Sequence, residues 1–233
     1  MAPGGQIPSL KAKGIKIGTH IKSCAGIADR EFSDAEADID RLNALNFAVL
    51  DGVIAQAMIN EIEAAAKDGD SVGGVLETAV CGFPAGVGEP FFDSVESVIS
   101  HAMFSIPAVK GVQFGDGFAL ANMRGSIAND PIQAVNGRVT TCTNRSGGVN
   151  GGITNGMPIV FSCAVKPTPS IYKTQNTVDY ISLGNAELSL KGRHDPAIIH
   201  RARVVVDSLT AIVLCDMLAQ RFGVDYLMPG DSK

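Results

Sequence analysis

Three short segments hold the residue types and spacings best suited to chemistry. In Gly192-Arg193-His194-Asp195-Pro196 a guanidinium, an imidazole and a carboxylate follow one another. A guanidinium grips phosphate or carboxylate with paired hydrogen bonds, while imidazole and carboxylate can move protons. Asp before Pro is also a good helix start, with Asp195 as the cap and Pro196 at the first helical position. The two roles are compatible, because the positive end of a helix favours the carboxylate form that a base requires. Lys166-Pro167-Thr168-Pro169-Ser170 sets a cation and two hydroxyls on a backbone stiffened by two prolines. Such a segment can hold a phosphate or a heteroaromatic ring in one place, and it also reads as an ordinary proline-stiffened loop. The third segment, residues 144–156, carries five glycines in its last ten positions. Backbone without side chains lets N–H groups converge on an anion or a ring edge, and equally makes a tight turn into a strand. Neither G-x-G-x-x-G nor G-x-x-x-x-G-K-[ST] occurs, so dinucleotide-fold and P-loop readings have no footing. His20, His101 and His200 stand singly without metal-ligand spacing and read as structural, and no metal site is expected.

These segments need a scaffold, and 233 residues suffice for one domain with a real core. A composition of 45% hydrophobic and 18% charged residues argues against disorder. The formal net charge of −5 disfavours nucleic acid or an anionic membrane as the main partner, since phosphate binding needs a local excess of Lys and Arg. The start MAPGGQIPSL shows no signal peptide, and no window approaches a membrane span. Cys24, Cys81, Cys142, Cys163 and Cys215 are scattered without a C-x-x-C pair, as expected of reduced, mostly buried thiols in the cytoplasm.

Hydrophobic periodicity predicts the positioning elements. Residues 13–18 and 19–28 read as weak strands and 31–46 as a polar connector. Apolar residues at Val53, Ile54, Ala57, Met58, Ile62 and Ala65 form a helical face, with Gly69 as its stop. Residues 72–81 read as a strand and 82–90 as a loop. Residues 92–105 read as a core helix with Asp93 and Glu96 as a capping box. A strand over 109–118 breaks at Gly115-Asp116-Gly117, a polar loop covers 122–144, and residues 159–165 form a strand that delivers the 166–170 segment. Residues 178–183 are a further candidate strand. The last helix spans 197–222, between Asp195-Pro196 and Gly223.

Taken in order, Gly86-Val87-Gly88-Glu89-Pro90 with Phe92-Asp93, Ser105-Ile106-Pro107-Ala108-Val109-Lys110-Gly111, Gly115-Asp116-Gly117-Phe118, Gly147-Gly148 through Gly151-Gly152-Ile153-Thr154-Asn155-Gly156, Lys166-Pro167-Thr168-Pro169-Ser170-Ile171 and Gly192-Arg193-His194-Asp195-Pro196 resemble chorismate synthase. The resemblance runs from about Gly14 to the last helix. It implies an α/β (α+β) sandwich, with mixed or antiparallel sheets packed on amphipathic helices, as a single truncated domain over 1–233. It further implies an FMN-dependent lyase of the shikimate pathway, which converts 5-enolpyruvylshikimate 3-phosphate to chorismate by anti elimination of phosphate. Reduced FMN would be held by Pro107, Ala108, Gly151, Lys166, Pro167, Thr168, Pro169, Ser170 and Arg193. Asp195 would assist proton removal. NADPH, the cytoplasm and a homotetramer belong to the same family picture.

The family's Phe-Gly-Glu-Ser-His-Gly motif and its Arg-Gly-Gly-Gly-Arg-Ser-Ser-Ala-Arg-Glu-Thr run do not occur in this sequence. Residues 1–10 correspond to the helix just after the arginine-rich run. The expectation is therefore the C-terminal portion of such an enzyme: active in name by descent, or an inactive remnant or half of a split enzyme that binds flavin or scaffolds an assembly. Apolar surface left open by the absent lobe should be covered by a homo-oligomer or by a complementing N-terminal polypeptide.

Overall fold

The computed structural model describes residues 8–135 and 137–228. Of residues 1–10, the first seven lie outside the described residues, and the rest open the short α1 (Pro8–Ala12). The two weak strands expected over 13–28 are one long strand, β1 (Lys16–Cys24), which turns at Ala25 and Gly26 into β2 (Ile27–Ala28). The connector expected over 31–46 contains a helix, α2 (Ala35–Leu42), capped by the Asp34 carboxylate, which accepts from the Ala37 N–H. Its only buried apolar residues are Ile39 and Leu42, too few to register as a period.

The helix predicted from Val53 onward is α3 (Gly52–Lys67), with the Asp51 carboxylate accepting from Val53 and Ile54 N–H, and Gly69 beyond its end at φ 67°. Then come β3 (Gly74–Cys81) and α4 (Val95–Phe104). Ser94, not Asp93, caps α4, its hydroxyl accepting from the Ser97 N–H. The next strand is β4 (Val109–Phe114), which ends at Gly115 as the turn signal predicts. The stretch expected as polar loop carries the one-turn α5 (Gly125–Ala128) and a hairpin of β5 (Ile132–Val135) and β6 (Arg138–Thr141). The glycine segment forms a hairpin of two-residue strands, β7 (Val149–Asn150) and β8 (Ile153–Thr154), before β9 (Ile159–Val165). Residues 178–183 are mostly the turn of a hairpin between β10 (Gln175–Val178) and β11 (Asn185–Leu188), because the Asp179 carboxylate accepts from Ile181 and Ser182 N–H and bends the chain. The last helix, α6 (Ile199–Phe222), stops at Gly223, whose φ is 86°.

A five-stranded sheet in the order β2-β1-β3-β9-β4 organises these elements, and every pairing is antiparallel. Strand alternation divides the sheet into two faces. On one, Ile17, Ile21, Leu76, Val80, Phe161 and Cys163 pack with Ile99 and Met103 of α4 and Val206, Leu214 and Leu218 of α6. On the other, Ala79 and Cys81 of β3 pack against Ile39 of α2. Gly18 is required there: a Cβ would stand 2.9 Å from Ile39 Cγ1. Truncating Phe161, fully buried at the centre, would cost about 3–5 kcal/mol.

Each face also buries a polar network. Toward α6, Thr19 donates to Asp207 at 2.6 Å, the Thr78 hydroxyl lies 2.7 Å from that of Thr19, and Arg203 Nε donates to the Thr19 carbonyl at 2.9 Å. Toward α2, His20 bridges Asp29 at 2.9 Å and Glu77 at 3.0 Å, while Lys22 pairs with the other Glu77 oxygen.

Three of the five thiols, Cys24, Cys81 and Cys163, are buried, Cys215 is half-buried and Cys142 is exposed; all are free. Burial pushes Cys24 and Cys81 up to about 11 and Cys163 to about 12, so these thiols stay protonated and unreactive. Among the described residues no helix is long and apolar enough to cross a membrane.

Candidate functional site

One end of the sheet gathers most of the residues singled out for chemistry. β9 ends at Val165, opposite Gly74 at the start of β3 and Val109 at the start of β4, so the loops flanking three strands converge. The register carries the 166–170 segment next to Pro107 and Ala108, and the Lys166 N–H donates to the Ala108 carbonyl at 2.9 Å. Ala108 adopts φ 77°, a left-handed conformation that costs a residue with a side chain about 1–3 kcal/mol. Such strain persists only where its surroundings impose it, and here the bond to Lys166 and the start of β4 do so.

Residues 71–73 join this corner to the start of α6. Ser71 donates its hydroxyl to the Thr168 carbonyl at 2.6 Å, and the Val72 N–H donates to the Pro196 carbonyl at 2.8 Å. Gly73 allows the close approach, since a Cβ there would stand 2.5 Å from the Val165 carbonyl and 2.8 Å from Pro167 Cδ. Residues 107–108, 166–170 and 193–196 are thereby tied together through two backbone hydrogen bonds and the Ser71 hydroxyl.

Arg193, His194, Asp195, Pro196 and Arg201 line a cleft of about 380 Å³. Asp195 does not cap α6 as the sequence suggested. The helix begins at Ile199 with Ile198 as its cap, and the Asp195 carboxylate makes only a long contact, 3.4 Å, with the Ala197 N–H. The Pro196 carbonyl is engaged by Val72 and the chain bends before it turns helical, so the sheet contact displaces the helix start. Asp195 Oδ2 instead lies 2.9 Å from Arg201 Nη1, an ion pair without the alignment of a hydrogen bond.

Three polar atoms of this corner are closed to solvent and make no hydrogen bond: Thr168 Oγ1, His194 Nε2 and Asp195 Oδ2. An unmatched buried polar group costs about 1–3 kcal/mol; Thr168 Oγ1 and His194 Nε2 are two such groups on adjoining loops, while Asp195 Oδ2 has the Arg201 guanidinium beside it. With the exposed Lys166 and Arg193 beside them, the donor set fits an anionic ligand with hydrogen-bonding edges.

Gly151 is not brought to this corner. Its hairpin lies at the other end of α4, where the Val95 N–H donates to the Gly152 carbonyl at 3.0 Å, and Arg221 near the end of α6 donates to Gly86 at 3.1 Å. The ten residues of α4 put about 15 Å of helix between the two ends. Sequence reasoning missed Ser71, Gly73, Tyr172 and Arg201. The Gly73-Gly74 pair was the one available signal, since adjacent glycines in a strand start mark close backbone approach.

This architecture, an antiparallel sheet backed by helices on both faces with cationic loops at one end, defines an α+β protein. The chorismate synthase family model matches residues 6–219. The chain is 46% identical to the chorismate synthase of Aeropyrum pernix over 213 residues, 91% of this chain and 56% of that protein. It is 43% identical to that of Archaeoglobus fulgidus over 209 residues, 90% and 58% of the two chains. With the enzyme of Korarchaeum cryptofilum it shares 52% identity over 159 residues, 68% and 44% of the two. A crystal structure of chorismate synthase superimposes with a TM-score of 0.76 at 29% identity, covering 93% of this chain and 60% of that one. The chain belongs to the chorismate synthase family, and it spans about half the length of the curated relatives it matches.

Proposed function

We propose that this chain supplies the flavin-holding part of a chorismate synthase, acting in the FMN-dependent anti elimination of phosphate from 5-enolpyruvylshikimate 3-phosphate. The observation that carries the reading is the convergence of strained Ala108, the 166–170 loop and Arg193-His194-Asp195, with Thr168 Oγ1 and His194 Nε2 left unpartnered on them. Reduced FMN, when bound, supplies the electron density that loosens the allylic phosphate. Lys166 and Arg193 would neutralise anionic charge, Pro167 and Pro169 would hold the loop rigid, and Thr168 and Ser170 would offer hydroxyls to the cofactor. Pro107 and Ala108 present backbone beside Lys166. Asp195 would accept the ring proton, and Arg201, paired with it, sets the direction of its carboxylate. Gly151 would join the same ligand only through an elongated molecule lying along α4 or through an adjoining chain. A homo-oligomer or a complementing polypeptide provides that chain in this reading. Exposed Phe91, Phe92, Tyr180, Ile181 and Leu183 offer apolar surface for it.

Equilibrium dialysis against FMN tests the holding role: saturable binding is expected, and none at millimolar flavin would sink it. Incubating the chain with reduced FMN and the substrate tests turnover. Because the chain spans about half of its relatives, a second reading holds that it binds flavin without turning over unless a second polypeptide joins it. Flavin binding without chorismate formation selects that reading.

A further inference from the structure

His194 lies between two residues of the proposed site, and its surroundings assign it more than a spacer's part. The ring sits edge-on against Tyr172, with centroids 4.8 Å apart and planes at 71°. Tyr172 is itself held at two points: its N–H donates to the Gly69 carbonyl at 2.9 Å, and its hydroxyl donates to the Gly192 carbonyl at 2.5 Å. Gly69 packs so closely that a Cβ on it would stand 3.1 Å from Tyr172 Cβ. The phenol thus grips the backbone two residues before the imidazole while its ring braces the imidazole itself. In this orientation His194 Nε2 is closed to solvent and has no hydrogen-bond partner, next in sequence to Asp195, whose Oδ2 is held only by its ion pair with Arg201.

A fixed ring with an orphaned nitrogen is an unusual expense in a protein interior, where imidazole nitrogens are ordinarily matched. His20 of the same chain shows the ordinary case, both nitrogens meeting carboxylates at 2.9 and 3.0 Å. What is missing at His194 is a hydrogen-bonding partner, and the two guanidinium groups that line the same cleft, Arg193 and Arg201, suit a phosphate-bearing heteroaromatic molecule. We infer that His194 touches the bound cofactor, its Nε2 forming a hydrogen bond to the flavin nucleotide, and that Tyr172 is the positioning residue that fixes the imidazole for that bond. The inference rests on the flavin-holding role proposed above and extends it to a residue pair that role does not need.

The test follows the imidazole nitrogens directly. The whole chain, labelled with ¹⁵N in its four histidines, is titrated with oxidised FMN, and His101→Gln, His194→Gln and His200→Gln assign the signals. The Nε2 resonance of His194 is expected to move as the site fills, while both nitrogens of His20 stay in place. His194→Gln should weaken FMN binding about tenfold, the worth of one hydrogen bond with partly charged partners. Tyr172→Ala should weaken it severalfold and Tyr172→Phe should recover most of the loss, because the edge contact survives without the hydroxyl. FMN that binds wild-type protein while His194 Nε2 stays still overturns the inference and leaves the flavin-holding role intact. Absence of FMN binding to the wild-type chain overturns both. The titration of unsubstituted protein reads the answer even if a variant at position 194 fails to fold.

Discussion

His20 and His194 both neighbour carboxylates, yet their surroundings differ in kind. At His20, fully buried on the α2 face of the sheet, Nδ1 reaches Asp29, Nε2 reaches Glu77, and Asp29 also accepts from the Leu50 and Asp51 N–H groups. Burial alone would push the imidazole down, but hydrogen bonds to Asp29 and Glu77 outweigh it and hold His20 above its ordinary value. Burial would likewise raise both carboxyls, and the bonds from His20, the backbone and Lys22 keep them low. This is a closed network of charges with its partners in place. At the strand-end corner Thr168 Oγ1 and His194 Nε2 have no partner, and Asp195 Oδ2 has only its ion pair with Arg201. Saturation marks the first region as architecture, and its absence at the second is what the proposed flavin-holding role would account for.

The contrast can be broken most forcefully at His20. His20→Ala leaves Asp29 and Glu77 buried without their shared cation and should destabilise the chain by about 3–5 kcal/mol in urea unfolding. A loss under 1 kcal/mol would mean that the network does not bind the sheet to the α2 side. Arg193→Ala should do the reverse. Its side chain is exposed, so stability should change by no more than about 0.5 kcal/mol, while FMN affinity falls about tenfold to a hundredfold in dialysis. Unchanged affinity would remove Arg193 from the site and weaken the contrast.

Ala108→Gly relieves a left-handed conformation that glycine adopts freely, and a stabilisation of about 1 kcal/mol is expected by thermal unfolding. A destabilised variant would show that Ala108 makes contacts worth more than its strain. The smallest effect is a pH dependence confined to the His20 network. His20 has a raised folded value, so its contribution is complete below about pH 6.5 and is lost as pH climbs through that raised value. Asp29 and Glu77 have lowered folded values, so theirs is complete above about pH 4.5 and is lost as pH falls through the lowered ones. Stability from these groups should be greatest between those limits, and His20→Gln should flatten the alkaline side in urea titrations.

Much of the scaffold was legible because its signals are local. β3, β9, α3 and α6 stood out from apolar spacing, and Gly69, Gly115 and Gly223 marked stops where positive φ is required. α2 was missed because two buried residues in eight make no period, and the strand sought over 178–183 was the turn drawn by Asp179. Asp195 before Pro196 carried the chemical signature of a cap, but Val72 holds the Pro196 carbonyl and the helix starts later. The segments 107–108, 166–170 and 193–195, singled out for chemistry, lie together at one corner. Gly151 does not, since nothing in a glycine run says which end of a helix it will adjoin.

The sequence by itself determined which residue types stand where, the order of motifs that places the chain in its family, and every element whose periodicity is written in neighbouring residues. Tertiary structure alone decided which histidine is finished and which is open. Glu77 is 57 residues from His20 and meets it only because β1 pairs with β3 in the register that sets His20 opposite Glu77. Tyr172 braces His194 across 22 positions through loops tied to Gly69 and Gly192. A hydrogen bond is satisfied or left open by atoms within about 3 Å, and only strand register and loop packing bring distant residues that close.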